Sequence, residues 1–164
     1  MAEMTRRYLR SLLNYEPKTG EWRWRYRKSG RAAIGQIAGS INSNGHRGIR
    51  IDGVMYQAHR LAFLYMNGTW PIDQVDHRNG VKDDNRWTNL REATNGQNSM
   101  NRGTRSDSRS GHKGVYLYGG DRFRAKIVVD GRQIYLGIFS TKEEAAAAYR
   151  VAADRFHGPF ARSG

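Results

Sequence analysis

Val75-Asp76-His77-Arg78-Asn79-Gly80, then Asn89-Leu90-Arg91-Glu92-Ala93-Thr94 and Asn95-Gly96-Gln97-Asn98, is the stretch on which the reading of this chain turns. Two short runs flank a polar loop and predict a strand, a loop and a second strand. Thr94 with Gln97 three residues later forms a capping box, which starts a helix that carries Asn98. Clusters of Asp, Asn and Gly make turns as readily as they make sites, so two readings stand side by side. The chemical one is hydrolysis of a phosphodiester, which needs activated water, neutralised phosphate charge and a stabilised leaving oxygen. Asp76 and Asn98 offer the oxygen donors magnesium prefers, His77 an imidazole that titrates near neutrality, and Asn89 an amide to orient it. Neighbours on a regular strand face opposite ways, so Asp76 and His77 converge only through a bend, for which Asn79-Gly80 is the candidate.

Upstream, Thr5 caps a helix whose face holds Tyr8, Leu9, Leu12 and Leu13, stopped by Pro17 and Gly20. Trp22, Trp24 and Tyr26 alternate with Arg23, Arg25 and Arg27, a strand period with one aromatic and one cationic face. The aromatics read as core and the arginines suit phosphate contact. Asn42, Asn44 and Gly45 read as a turn. Asp52-Gly53 predicts a two-residue hairpin turn between extended runs from His46 to Ala58, and residues 59–67 form a short helix ending at Gly68. His59 reads as a structural or capping histidine, and Asp83, Asp84 and Asn85 as a solvated polar loop.

Downstream, residues 103–112 hold no apolar side chain and predict a flexible linker between domains at 1–102 and 113–164. Beyond it Phe123, Ala125, Ile127 and Val129 alternate with Arg122, Arg124, Lys126 and Val128. Gly119-Gly120-Asp121 and Asp130-Gly131 turn the chain, giving three antiparallel strands with one apolar and one cationic face. Thr141-Lys142-Glu143-Glu144 is a second capping box. It opens an alanine-rich helix with Ala145, Ala148, Tyr149, Ala152 and Phe156 on one stripe, stopped at Gly158-Pro159. The fold class is α+β.

The 164 residues carry 28 Lys and Arg against 15 Asp and Glu, a net +13. The excess is shared, 17 against 9 in residues 1–102 and 11 against 6 in residues 103–164, so both parts should feel a polyanion. With no cysteine there is no disulfide framework, Cys-ligated zinc or thiol nucleophile. No run is long and apolar enough for a membrane span, and the expected setting is intracellular.

Asp76-His77, with Asn89 twelve residues beyond the histidine and Asn98 nine further on, closely resembles the HNH nucleases and their ββα-metal motif. The likeness extends to Ala58-His59-Arg60-Leu61-Ala62 and Trp70-Pro71, and more loosely over residues 1–102 to phage homing endonucleases. It implies His77 as general base, Asn89 as the asparagine bracing it, and Asp76 and Asn98 as ligands of Mg²⁺ or Mn²⁺. Residues 111–162 resemble the AP2 DNA-binding domain through Lys113-Gly114-Val115, Phe123 to Ile127, Tyr135 to Phe139, Glu144 to Tyr149 and His157 to Ala161. That likeness implies a three-stranded antiparallel sheet packed on one helix, with DNA contacts at Lys113, Tyr116, Tyr118, Lys126, Val128, Gln133 and Tyr135. Arg122 and Arg124 join them for phosphate contact. Plant AP2 domains carry arginine at positions 116, 118, 128 and 133 and glutamate at 126, so their base preference does not transfer.

The expectation is a metal-dependent endonuclease acting on double-stranded DNA, of homing type, in the host cell of a phage or mobile element, with no protein partner implied. The alternative is a DNA-binding regulator with a dead site. An RNA-binding module fits the charge, but no RNA-specific motif supports it.

Overall fold

Thr5 accepts a hydrogen bond from the Tyr8 amide and opens helix α1 (Arg6–Leu12) of the computed structural model, which describes residues 3–26, 33–104 and 108–161. The described residues group into two units, Met1–Ala93 and Thr94–Gly164. Arg27 and linker residues 105–107 lie outside what is described.

In the first unit α1 stops a residue short of the expected apolar face. Leu13 is instead the first residue of β1 (Leu13–Glu16), which pairs antiparallel with β2 (Glu21–Trp24), Leu13 opposite Trp24. The sheet captures Leu13 because it buries the side chain completely and supplies the hydrogen bonds a frayed last helical turn would lose. Trp22 and Trp24 alternate inward as expected, but β2 ends there, so the period does not continue through Tyr26. Tyr15 stacks on Trp22 at 4.7 Å between ring centroids, and Tyr65 meets Trp22 edge-on at 5.5 Å.

β3 (Ser40–Ile41), β4 (Arg47–Ile51) and β5 (Val54–Gln57) form the next sheet. Asp52 and Gly53 make its tight turn, both at positive φ (47° and 82°). β5 runs directly into α2 (Ala58–Asn67), which ends at Gly68 with φ 88°, the left-handed cap the sequence predicts. Leu61, Ala62 and Leu64 of α2 join Leu9, Leu13, Trp22, Ile49 and Ile51 in one core. Arg60 points the other way and clamps the following loop, donating to the Asp73 carbonyl (2.9 Å) and the Pro71 carbonyl (3.1 Å). That clamp sets the entry of β6 (Gln74–His77), which pairs antiparallel with β7 (Leu90–Ala93) across residues 78–89.

The second unit begins with α3 (Asn95–Met100), whose capping box between Thr94 and Gln97 is formed. The sequence reading places this helix with the first half, and the units divide earlier than the expected linker. Part of that linker is folded: Ser110 is buried, donating to the Val115 carbonyl (2.7 Å) and accepting from the His112 amide (3.2 Å). A hydroxyl that satisfies backbone groups can order a segment without any apolar side chain. β8 (Val115–Leu117), β9 (Phe123–Val129) and β10 (Arg132–Phe139) form an antiparallel sheet with β9 central, and α4 (Lys142–His157) packs on it. Buried Ala145, Ala146, Ala152 and Ala153 permit a close approach to Ala125 and Ile127. Phe156, expected on the buried stripe, is 40% exposed. His157 takes the inner position, its ring bonded at 2.9 Å to the Val128 carbonyl. Among the described residues no helix is long and apolar enough to cross a membrane.

Candidate functional site

β6 presents Asp76 and His77 side by side, both buried (5% and 4% exposed), and the strand is regular through them. The expected bend between them is absent: Gly80 turns the chain, at φ 69°, only after the strand has ended. Successive side chains therefore meet different partners. Asp76 lies opposite Arg91 in the β6–β7 register, and its Oδ2 accepts from Arg91 Nε (2.8 Å) and stands 2.6 Å from Nη2, a buried ion pair.

His77 Nε2 lies 3.2 Å from Asn85 Oδ1. Asn85 Nδ2 donates to the Asp83 carbonyl (3.2 Å), so its Oδ1 faces the histidine as an acceptor and assigns the proton to Nε2. The basic lone pair of His77 is then on Nδ1. Burial lowers the His77 pKa, opposed by the Asn85 hydrogen bond and by the charges of Asp76, Asp84 and Asp83.

Asn89, expected to brace the base, holds the loop instead. Its Nδ2 donates to the Asp84 carbonyl (2.7 Å) and Asn79 Oδ1 (3.0 Å), and its Oδ1 accepts from the Asn79 amide (3.0 Å). The asparagine that meets the His77 ring is Asn85. The loop read as solvated is in fact tied down throughout. Asn85 is 1% exposed, and its carbonyl accepts from the Tyr15 hydroxyl at 2.6 Å. Burial pushes the Tyr15 phenol upward, so it stays a donor. Asp83 pairs with Arg47 (2.8 and 2.9 Å), and Asp84 with Arg86, which holds the Asp84 carboxyl at about 2. Gly20, at φ 78°, lies against the Asn85–Arg86 backbone with no room for a Cβ.

Two more histidines reach His77. His46 precedes β4, and His59 sits in the first turn of α2. The three rings lie 5.0 Å (His46–His59), 5.2 Å (His59–His77) and 5.6 Å (His46–His77) apart by centroid, with one ligand nitrogen of each within 4.8 Å of the others. Burial is the largest cause of a lowered pKa in each, down to about 3 for His59. The sequence reading leaves His46 unremarked and gives His59 a structural role. Nothing local marks either one, because three separate elements bring them together.

Asn98 lies on α3, in the second unit. Of the arginines expected on a cationic face, Arg23 pairs with Glu21 (2.8 Å) and donates to the Gly35 carbonyl (2.8 Å), while Arg25 donates to the Arg10 carbonyl (2.9 Å). Both are occupied within the fold. On the second unit's sheet Tyr116, Tyr118 and Tyr135 are exposed. Lys126 Nζ stands 4.6 Å over the Tyr116 ring and the Arg124 guanidinium 5.5 Å over Tyr118, with Lys126 also 3.3 Å from Gln133 Oε1. Arg122 is exposed just before β9, and Lys113 reaches the Met100 carbonyl at 2.5 Å.

The family model described as HNH endonuclease matches residues 56–100, which run from the end of β5 through α3. A protein of Acanthamoeba polyphaga mimivirus, named as an uncharacterized HNH endonuclease, is 36% identical over 107 residues. The match covers 64% of this chain and 55% of the relative, so the chain spans about half the length of the protein it matches. No solved structure matches the chain.

Proposed function

We propose that this protein is a divalent-metal-dependent endonuclease that hydrolyses phosphodiester bonds of double-stranded DNA, of the homing type carried by phages and mobile elements. The observation that carries the reading is His77, a buried imidazole beside Asp76 in the matched HNH segment, its proton assigned to Nε2 by Asn85. A base with one nitrogen anchored on an oxygen presents the other for proton abstraction. Nδ1 of His77 takes the proton from the attacking water. Burial keeps the ring neutral near pH 7, the form that can accept it.

The donor chemistry of the motif fits a hard cation. Asp76 offers a carboxylate, held in orientation by Arg91, and the motif pairs it with the Asn98 amide oxygen, a set suited to Mg²⁺ or Mn²⁺ rather than zinc. When bound, the ion neutralises charge on the phosphate and stabilises the leaving oxygen. Asn89 keeps the 79–84 loop in place and through it Asn85, a positioning role.

The second unit serves as the DNA-docking module, of AP2 type. Its sheet carries exposed tyrosines with cations stacked on them, and a sheet edge or ribbon of this size can enter a major groove. Arg122, Arg124 and Lys126 contact phosphate, and Tyr116, Tyr118, Gln133 and Tyr135 lie nearer the bases. Arg23 and Arg25 keep a secondary role at most, since carbonyls and Glu21 already engage them.

The test is cleavage of supercoiled plasmid with Mg²⁺ or Mn²⁺ against a chelator control. Wild type cuts, and His77→Ala loses cutting while retaining DNA binding in a gel-shift assay. Undiminished cutting by His77→Ala removes the assignment, and a metal-independent wild type removes the mechanism.

A further inference from the structure

The histidine cluster has features that packing alone leaves unexplained. His59 is 7% exposed and His46 half-buried, and the Nδ1 atom of each is buried without a hydrogen-bond partner among the described residues. A buried polar atom left unpaired is costly, and two of them belong to one cluster of three rings. The third ring is anchored through its other nitrogen, His77 Nε2 lying 3.2 Å from Asn85 Oδ1. An imidazole with one nitrogen on a carbonyl or amide oxygen and the other turned inward is how histidine is oriented toward a metal.

The spacing agrees. Three imidazole nitrogens each about 2.0–2.1 Å from one tetrahedral ion put their ring centroids roughly 5 Å apart. Here they are 5.0, 5.2 and 5.6 Å apart and tilted by 38° to 83°.

We propose that His46, His59 and His77 form a three-histidine site for a borderline transition-metal ion of the zinc class, distinct from the oxygen-donor site of Asp76, with solvent in the fourth position. Nitrogen-only donors select Zn²⁺, Co²⁺, Ni²⁺ or Cu²⁺ over Mg²⁺. On the nuclease reading, such an ion occupies the lone pair His77 needs for proton abstraction, so zinc opposes magnesium rather than substituting for it. Binding itself is read without any cleavage, so failure of one proposal leaves the other standing.

The experiment titrates the full chain, first stripped with chelator, with Co²⁺ alone and then displaces it with Zn²⁺. The expected result is one equivalent of Co²⁺ giving the intense visible bands of four-coordinate cobalt, removed by one equivalent of Zn²⁺. His46→Gln and His59→Gln each weaken binding by about tenfold or more, since losing a direct ligand costs no less than losing an outer-shell partner. His59→Gln disturbs a buried position, so tryptophan fluorescence checks its fold, and the less buried His46→Gln decides the matter if His59→Gln does not fold. The faint spectrum of six-coordinate cobalt in wild type, or unchanged affinity and bands in His46→Gln, overturns the site.

Discussion

Arg91→Met isolates the buried ion pair that orients Asp76. Both partners are almost wholly shielded, 7% and 5% exposed, and the guanidinium reaches Asp76 Oδ2 through two nitrogens at 2.6 and 2.8 Å. Replacing only the cation with a side chain of similar length keeps most of the packing and strands a carboxylate out of water. Breaking a buried pair in this way costs about 3–5 kcal/mol. With a urea slope of about 1–3 kcal/mol/M, the unfolding midpoint should fall by about 1 M or more. The assay is selective, because all four tryptophans, Trp22, Trp24, Trp70 and Trp87, belong to the first unit, so fluorescence follows its unfolding without the second. Asp76→Asn together with Arg91→Met should recover part of the loss, since the stranded group is then neutral. A deficit under about 1 kcal/mol for Arg91→Met, or a double variant as unstable as the sum of the singles, would refute the reasoning.

Asn85→Ala should lower cleavage within the roughly 10²–10⁴-fold that a general base contributes, with DNA affinity unchanged in a binding titration; equal loss of affinity would make Asn85 merely structural. Stability should depend on pH through the histidine cluster. Its folded pKa values lie below the unfolded value near 6.5, so at pH 5 the unfolded chain binds protons the native one excludes. Stability is thus fully present above about pH 6.5 and declines as pH falls toward the folded value, about 3 for His59, at up to about 1.4 kcal/mol per pH unit per histidine. Urea midpoints at pH 7 and 5 should differ in wild type and differ less in His59→Gln, which removes one of the three contributions; identical wild-type midpoints would contradict this. Arg122, Arg124 and Lys126 together replaced by alanine should weaken DNA binding and flatten its salt dependence by about 0.9 in log–log slope for each phosphate no longer neutralised, read by titration at several salt concentrations.

Most of the elements were legible in the sequence because their causes are local. Capping boxes at Thr94 and Thr141, the Asp52-Gly53 turn, the Gly68 cap and the alternation of residues 123–129 act over short stretches of chain, and each is present. Failures came where a distant partner overrode the local pattern. Leu13 left its helix for Trp22's sheet, Phe156 yielded the inner face of α4 to His157, and Ser110 ordered a stretch that composition alone called flexible. At the site the same holds for Asn85, since a polar loop residue gives no sign that Tyr15 and His77 will enclose it.

By itself the sequence determined the order of strands and helices, the charge that asks for a polyanion, and the motif spacing that singles out Asp76, His77, Asn89 and Asn98. Tertiary structure alone decided the surroundings of those side chains: Arg91 across the ladder from Asp76, and His46 and His59 against His77 from positions 31 and 18 residues away in the chain. The physical reason is range. Propensity, capping and turn geometry act between near neighbours, whereas desolvation and ion pairing depend on what the folded core brings within a few ångströms, and no window of sequence contains that distance.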